Sequence, residues 1–165
     1  MEDDKTNPLV FISYSWDNEE HEKWVRQLAS DLIKNGIDVR LDQWENKIGS
    51  DIPYFMDDSI NRAERVLCIL TPNYKEKADQ RKGGVGYEIR NMTAKIFTDV
   101  ITNKFIPVLR KGTPKDAIPI ALSGRVFIDM RDDSTYNDRL IEILREVFGK
   151  PKYTKPELGV PPIFD

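Results

Sequence analysis

One cysteine in 165 residues, Cys68, excludes a disulfide framework, because it has no partner and sits inside the apolar run Val66–Leu70. One histidine, His21, together with that single cysteine leaves too few ligands for a zinc site, and no metal is expected. The same histidine is the sole base available for a Ser–His–Asp arrangement, and it falls on an acid-rich helix expected to be exposed. No apolar run reaches the roughly 18 residues of a membrane span. The opening Met1-Glu2-Asp3-Asp4-Lys5 is acidic where a secretory leader would be basic and then apolar. A soluble, cytoplasmic domain without a membrane partner is the expectation.

Charge of one sign is also missing. The chain carries 25 basic and 28 acidic residues, a net of −3, so no strong field for a polyanion is expected. Residues 1–22 hold seven acids and one lysine, which speaks against a nucleic-acid-binding arm. The basic group Lys75, Lys77, Arg81 and Lys82 reads as a solvated loop. Neither a GxGxxG nor a Walker A pattern occurs, and Gly83-Gly84-Val85-Gly86 reads as a flexible entry into a helix.

What is present is an alternation of apolar runs with helical periodicity, the mark of βα units and a mainly parallel sheet. Leu9–Ser13, Ile37–Leu41, Arg65–Leu70, Phe105–Leu109 and Arg125–Met130 read as five strands. Arg65–Leu70 is apolar without alternation, as a central strand buried on both faces would be. Pro107 argues for a fourth strand near the sheet edge. Asp17–Glu20 has capping-box spacing, with Trp16 as a staple. Trp24, Leu28 and Leu32, widened by Val25 and Ile33, then form a helical stripe that stops at Gly36. A short helix from Asp51 carries Phe55, Met56 and Ile60. Thr71–Tyr74 closes the third strand, and a polar loop runs on to Gly86. A helix over about 85–101 follows, with Val85, Ile89, Met92, Ile96 and Val100 in one stripe. Leu140, Ile141, Leu144, Val147 and Phe148 mark the last helix. Residues 1–149 read as one domain, and 150–165 as a proline-rich tail or linker holding Pro151, Pro156, Pro161 and Pro162.

In an open α/β sheet, ligands bind beyond the carboxyl ends of strands where strand order reverses. The loops expected there carry Tyr14, Trp16, Trp44 and Tyr74, with Ser13, Ser15 and Asp42. Aromatic rings can stack on nicotinamide or adenine, and hydroxyls can hold ribose or phosphate oxygens. The same aromatics can equally staple loops to the core. Glu88 falls about 60° from the centre of the Val85, Ile89, Met92 stripe, early in its helix. A carboxylate there can stabilise a ribosyl oxocarbenium ion, or serve simply as a partner of the helix dipole. A phosphoacceptor receiver domain has the same strand–helix rhythm, but Thr71-Pro72-Asn73 offers no aspartate at the end of the central strand.

Phe11-Ile12-Ser13-Tyr14-Ser15-Trp16, Leu41-Asp42-Gln43-Trp44, Thr71-Pro72-Asn73-Tyr74 and Gly83-Gly84-Val85-Gly86-Tyr87-Glu88 occur in this order. Together they closely resemble prokaryotic TIR domains of the branch nearest the SEFIR group, over about residues 8–149. The resemblance implies a flavodoxin-like sheet of five parallel strands with helices on both faces. It implies cleavage of the nicotinamide–ribose bond of NAD, by hydrolysis or cyclisation, often in antiphage defence. NAD would be the substrate, with no separate cofactor. Glu88 matches the family's catalytic glutamate; Ser13, Tyr14 and Trp44 match pocket positions. Trp16, Asp42, Tyr74 and Tyr87 complete the expected substrate-binding set. In enzymatic members an aromatic often stands four positions before the glutamate; here that position is Gly84, which leaves Tyr14, Trp44 or Tyr87 to stack on nicotinamide. The loop Asp42–Asp51 would cover the site and mediate self-association, with a fused or separate sensor domain as a further partner. Two other readings stand beside this one: a non-enzymatic adapter that pairs with similar domains, and another N-glycosidase such as a nucleoside deoxyribosyltransferase.

Overall fold

A computed structural model describes residues 6–80 and 103–165. Five parallel strands form a single sheet in the order β2-β1-β3-β4-β5. The strands are β1 Leu9–Tyr14, β2 Asp38–Arg40, β3 Arg65–Leu70, β4 Phe105–Leu109 and β5 Ile128–Asp129. Helix α1 (Glu19–Lys34) joins β1 to β2, and α2 (Asp42–Glu45) and α3 (Ile52–Arg62) join β2 to β3. Helix α4 (Pro72–Asp79) follows β3, α5 (Pro114–Ala117) follows β4, and α6 (Tyr136–Phe148) closes the domain. This is the expected flavodoxin-like α/β architecture. The helix expected over 85–101 lies outside the described residues.

The sheet separates two apolar layers because successive side chains of a strand point to opposite faces. Val10, Ile12 and Tyr14 of β1, Leu67 and Ile69 of β3, and Ile106 and Val108 of β4 pack under α1 and α6. Phe11, the even-numbered β3 residues Val66, Cys68 and Leu70, and Phe105 and Leu109 pack under α3, α4 and α5. A slip of one residue in β1 would exchange the two sets, so the register Val10↔Arg65 to Tyr14↔Ile69 is tightly specified.

Several local features differ from expectation. The first helix starts one residue late: Asn18, not Asp17, is its cap and accepts from the His21 N–H at 2.8 Å. Asp17 is drawn away by side chains beyond β3, and Trp16 is no staple, being 55% exposed with its indole on Asp42. His21 is not exposed but buried, because it shares a face with Val25, Leu28 and Leu32. Ile33, Ile141 and Phe148 are exposed, and Ile143 joins Leu140 at the buried positions of α6. Thr71–Tyr74 does not open a loop. Thr71 caps α4 by accepting from the Tyr74 N–H, and Pro72 opens the helix, where a missing N–H costs nothing. The loop after β2 begins with the turn of α2.

β5 is two residues long where six were expected, and Pro107 supplies a reason. Met130 N–H donates to the Leu109 carbonyl at 2.8 Å, which puts the main-chain groups of odd-numbered β4 residues on the β5 side. At Pro107 the donor on that side is absent, and the ladder begins only at Val108↔Ile128.

Candidate functional site

The order β2-β1-β3 makes the chain reverse direction across the sheet between β1 and β3, so the crevice lies beyond Tyr14 and Leu70. Two hydrogen-bonded clusters meet there. In the first, the hydroxyls of Ser15 and Thr71 share a bond of 3.2 Å, Ser15 also donates to Asp17, and Asn73 Nδ2 donates to Asp17 Oδ1 at 2.8 Å. Burial acts to raise the Asp17 pKa, but donation from Ser15, Asn73 and Thr71 outweighs it and holds the carboxyl below its usual value. The cluster ties the end of β1 to the start of α4.

The second cluster centres on Asp42. Its Oδ1 accepts from the Tyr14 hydroxyl at 2.7 Å and from the Gln43 N–H at 2.8 Å, and its Oδ2 accepts from Trp16 Nε1 at 2.9 Å. Gln43 uses its whole amide. Nε2 donates to the Tyr14 oxygen at 2.9 Å and to the Glu22 carbonyl at 3.1 Å, and Oε1 accepts from Arg26 at 2.6 Å. The short helix α2, and with it Trp44 at 38% exposure, is thereby anchored to β1 and α1. Burial pushes the Tyr14 phenol upward, and the Asp42 carboxylate beside it adds to the effect.

The expected residues are therefore placed differently from one another. Tyr14, Trp16 and Asp42 converge, and Trp16 keeps an open ring face. Ser13 and Tyr74 are buried, with their hydroxyls joined at 3.1 Å, so the Tyr74 ring offers no surface to a ligand. Glu88 and Tyr87 lie outside the described residues. The cavity lined by Ser13, Tyr14, Trp16 and Asp42 measures about 20 Å³, room for a single water. Among the described residues no group of three or more His, Cys, Asp or Glu could hold a metal ion. Nor is any helix there long and apolar enough to cross a membrane.

Sequence reasoning passed over Asp17, Asn73 and Gln43 as site residues. Thr followed by Pro is a recognisable helix start, and it would have put Asn73 in the first turn of α4. Nothing local announces Gln43, whose partners are 17 to 29 positions away.

His21 lies beneath both clusters. Its ring meets Tyr14 edge-on at 6.2 Å between centroids and lies parallel to Trp24, offset at 6.5 Å. Neither ring nitrogen has a hydrogen-bond partner. Burial lowers its pKa, Asp17 opposes the shift, and Lys111 and Arg110 add to it, so the imidazole is neutral near pH 7. Among the described residues it has no acidic partner in hydrogen-bond contact with which to form a catalytic relay.

Comparison with known proteins gives this geometry a family. The TIR domain model matches residues 10–144. Over 85 residues the chain is 31% identical to a 2' cyclic ADP-D-ribose synthase, BtTIR, of Bacteroides thetaiotaomicron, covering 52% of this chain and 27% of that protein. The match thus spans little more than a quarter of the relative's length. The crystal structure of a prokaryotic SEFIR domain superposes with a TM-score of 0.74 at 35% identity, covering 93% of this chain and 100% of that one. The TIR domain of the Toll-related receptor TRR-2 from Hydra magnipapillata shares the fold, with a TM-score of 0.61 at 18% identity over 84% of this chain and 97% of that one. The chain belongs to the TIR domain family, in its prokaryotic, SEFIR-like branch.

Proposed function

We propose that this TIR domain cleaves the nicotinamide–ribose bond of NAD, with Glu88 as the anion that stabilises the transition state. The observation that carries the reading is the convergence of the Ser13–Trp16, Asp42–Trp44 and Thr71–Tyr74 segments at the reversal of strand order, where this class of fold binds ligands. The cyclic ADP-ribose synthase similarity supports the same chemistry.

In this reading the C1′–N bond breaks and its electron pair leaves with neutral nicotinamide. The Glu88 carboxylate faces the resulting oxocarbenium ion. A water oxygen then attacks C1′ and loses a proton, giving ADP-ribose, or a ribose hydroxyl does so and gives a cyclic product. Because the cavity under Tyr14 admits only a water, the base stacks over the open faces of Trp16 and Trp44. Self-association through the loop Asp42–Asp51 completes the site, a fused or separate sensor domain triggers it, and antiphage defence is the context.

Incubation with NAD at rising protein concentration should release nicotinamide, steeply if assembly completes the site. Glu88→Gln should reduce the rate at least about 100-fold. Undiminished turnover in that variant removes Glu88 from its role. A panel of nucleosides in the same assay tests for a deoxyribosyltransferase, which would cleave them in preference to NAD.

One observation favours an adapter instead. Ile48 in the loop after α2 is fully solvent-exposed and Tyr54 in the first turn of α3 is 69% exposed, so this stretch offers apolar side chains to another protein. Loop-dependent assembly without NAD turnover at any concentration would establish that reading.

A further inference from the structure

The turn after β4 places a cation on the lip of the crevice. Leu70 and Leu109 end β3 and β4 side by side, and the N–H groups of Arg110 and Lys111 both donate to the Leu70 carbonyl, at 2.9 and 3.3 Å. Gly112 then takes the chain past Pro72, at the start of α4, with φ +84. The backbone of Lys111 is therefore fixed between the end of β3 and the beginning of α4, beside the cluster of Ser15, Asp17, Thr71 and Asn73. Its half-buried side chain comes near enough to His21, beneath that cluster, for its charge to weigh on the imidazole.

The neighbouring cations are committed elsewhere. Arg110 donates to the Met130 carbonyl at 2.9 Å and to Asp133 at 2.7 Å, and its guanidinium lies 4.4 Å from the centroid of the Trp24 ring. Arg26 is held by Gln43 at 2.6 Å and Lys75 by Asp79 at 2.6 Å. Lys47 stands on the exposed loop past β2, the edge strand. Among the described residues the Lys111 ammonium makes no hydrogen bond or ion pair, although Asp17 and Asp42 lie on the same crevice. A half-buried cation without a partner gives up solvation that a bound anion would return.

We propose that Lys111 holds the diphosphate of the dinucleotide in the crevice, an inference that rests on the reading of this site as one for NAD. A diphosphate brings negative charge to a place that already carries the carboxylates of Asp17 and Asp42, and a compact ammonium offsets that repulsion. Spacing agrees. Strand β4 lies two positions from β1, or about 10 Å across the sheet. A base stacked at Trp16, just past β1, and a phosphate at Lys111, just past β4, thus stand one nucleoside apart. The glycine turn sets the lysine backbone in place before the ligand arrives, so little order has to be created on binding.

Lys111→Ala should raise the KM for NAD about 10- to 100-fold and leave kcat within about twofold, because a contact made equally in ground and transition state moves KM alone. Lys111→Arg, which keeps the charge, should restore most of the loss. Calorimetry with ADP-ribose needs no turnover: its affinity should fall about 10- to 100-fold in Lys111→Ala and lose much of its dependence on salt. A wild-type chain that binds ADP-ribose through Lys111 yet releases no nicotinamide from NAD removes the cleavage reading and keeps the diphosphate site. NAD cleavage with an unchanged KM in Lys111→Ala does the reverse and overturns the assignment of Lys111. So does a wild-type chain that does not bind ADP-ribose, or a loss of affinity that Lys111→Arg fails to restore, since charge would then not be its cause.

Discussion

Tyr14 donates its phenolic proton to Asp42 Oδ1 at 2.7 Å, joining the last residue of β1 to the first residue of α2. Through the same carboxylate the indole of Trp16 is held, so one side chain orients both aromatics at the rim of the crevice. Asp42→Ala should lower stability by about 1–3 kcal/mol, because the half-buried Tyr14 hydroxyl and Gln43 N–H lose their acceptor. It should also weaken the near-ultraviolet circular dichroism of the tryptophans. An unchanged thermal midpoint and spectrum would show that α2 is held by other contacts.

His21 makes stability depend on pH on the acid side. Its folded pKa lies below the ordinary 6.5, so the unfolded chain takes up the proton first. The contribution of the neutral imidazole is complete above about pH 6.5 and is lost as pH falls toward the folded value. The slope reaches at most about 1.4 kcal/mol per pH unit for one proton. Around the ring stand Tyr14 from β1, Trp24 on the same helix, Asp17 before it, and Arg110 and Lys111 after β4. Burial keeps protonation unfavourable; Asp17 partly opposes it, and Lys111 and Arg110 add to it. His21→Phe should flatten calorimetric stability between pH 7 and 5; a parallel decline in both proteins would assign the acid loss to other groups.

Three tyrosines should resist ionisation. Burial raises Tyr14, Tyr74 and Tyr136, and the carboxylates of Asp42 and Asp31 add to the first and last. In an alkaline titration followed by ultraviolet difference absorbance, at least three of the six tyrosines should stay protonated well past the usual 10.0, then ionise together on unfolding. A single smooth transition near pH 10 for all six would contradict the burial of these rings.

Gly112 has φ +84, and a Cβ there would stand 2.9 Å from Pro72 and 2.7 Å from Asp116. The turn after β4 can therefore pass beside the start of α4 only with glycine. Gly112→Ala should cost about 1–3 kcal/mol of stability, measured by urea unfolding. A loss near zero would mean that the turn relaxes without strain.

The strands were legible where tertiary structure demands an unbroken apolar run. Val66–Leu70 and Phe105–Leu109 are buried on both faces and carry no competing pattern. Helix α4 was obscured because Thr71-Pro72 suits both the end of a strand and the beginning of a helix; only the bond from Tyr74 N–H to Thr71 decides. His21 was hidden by its acidic neighbours Glu19, Glu20 and Glu22, although spacings of four, three and four to Val25, Leu28 and Leu32 put it on the inner face. The aromatics near the crevice could be collected from sequence as a group. Their separate fates could not, since the burial of Tyr74 depends on Ser13, 61 positions earlier, and the opening of Trp16 on Asp42, 26 positions later.

The first strand made is also a central one, flanked by β2 on one side and β3 on the other. A chain emerging from the ribosome can pair β1 with β2 early, but the other edge of β1 stays open until Leu70 has been synthesised. For that interval a strand as apolar as Leu-Val-Phe-Ile is a template for any neighbouring nascent chain. Rapid elongation through residues 40–70, or a chaperone held near the tunnel exit, should therefore raise the yield of folded domain.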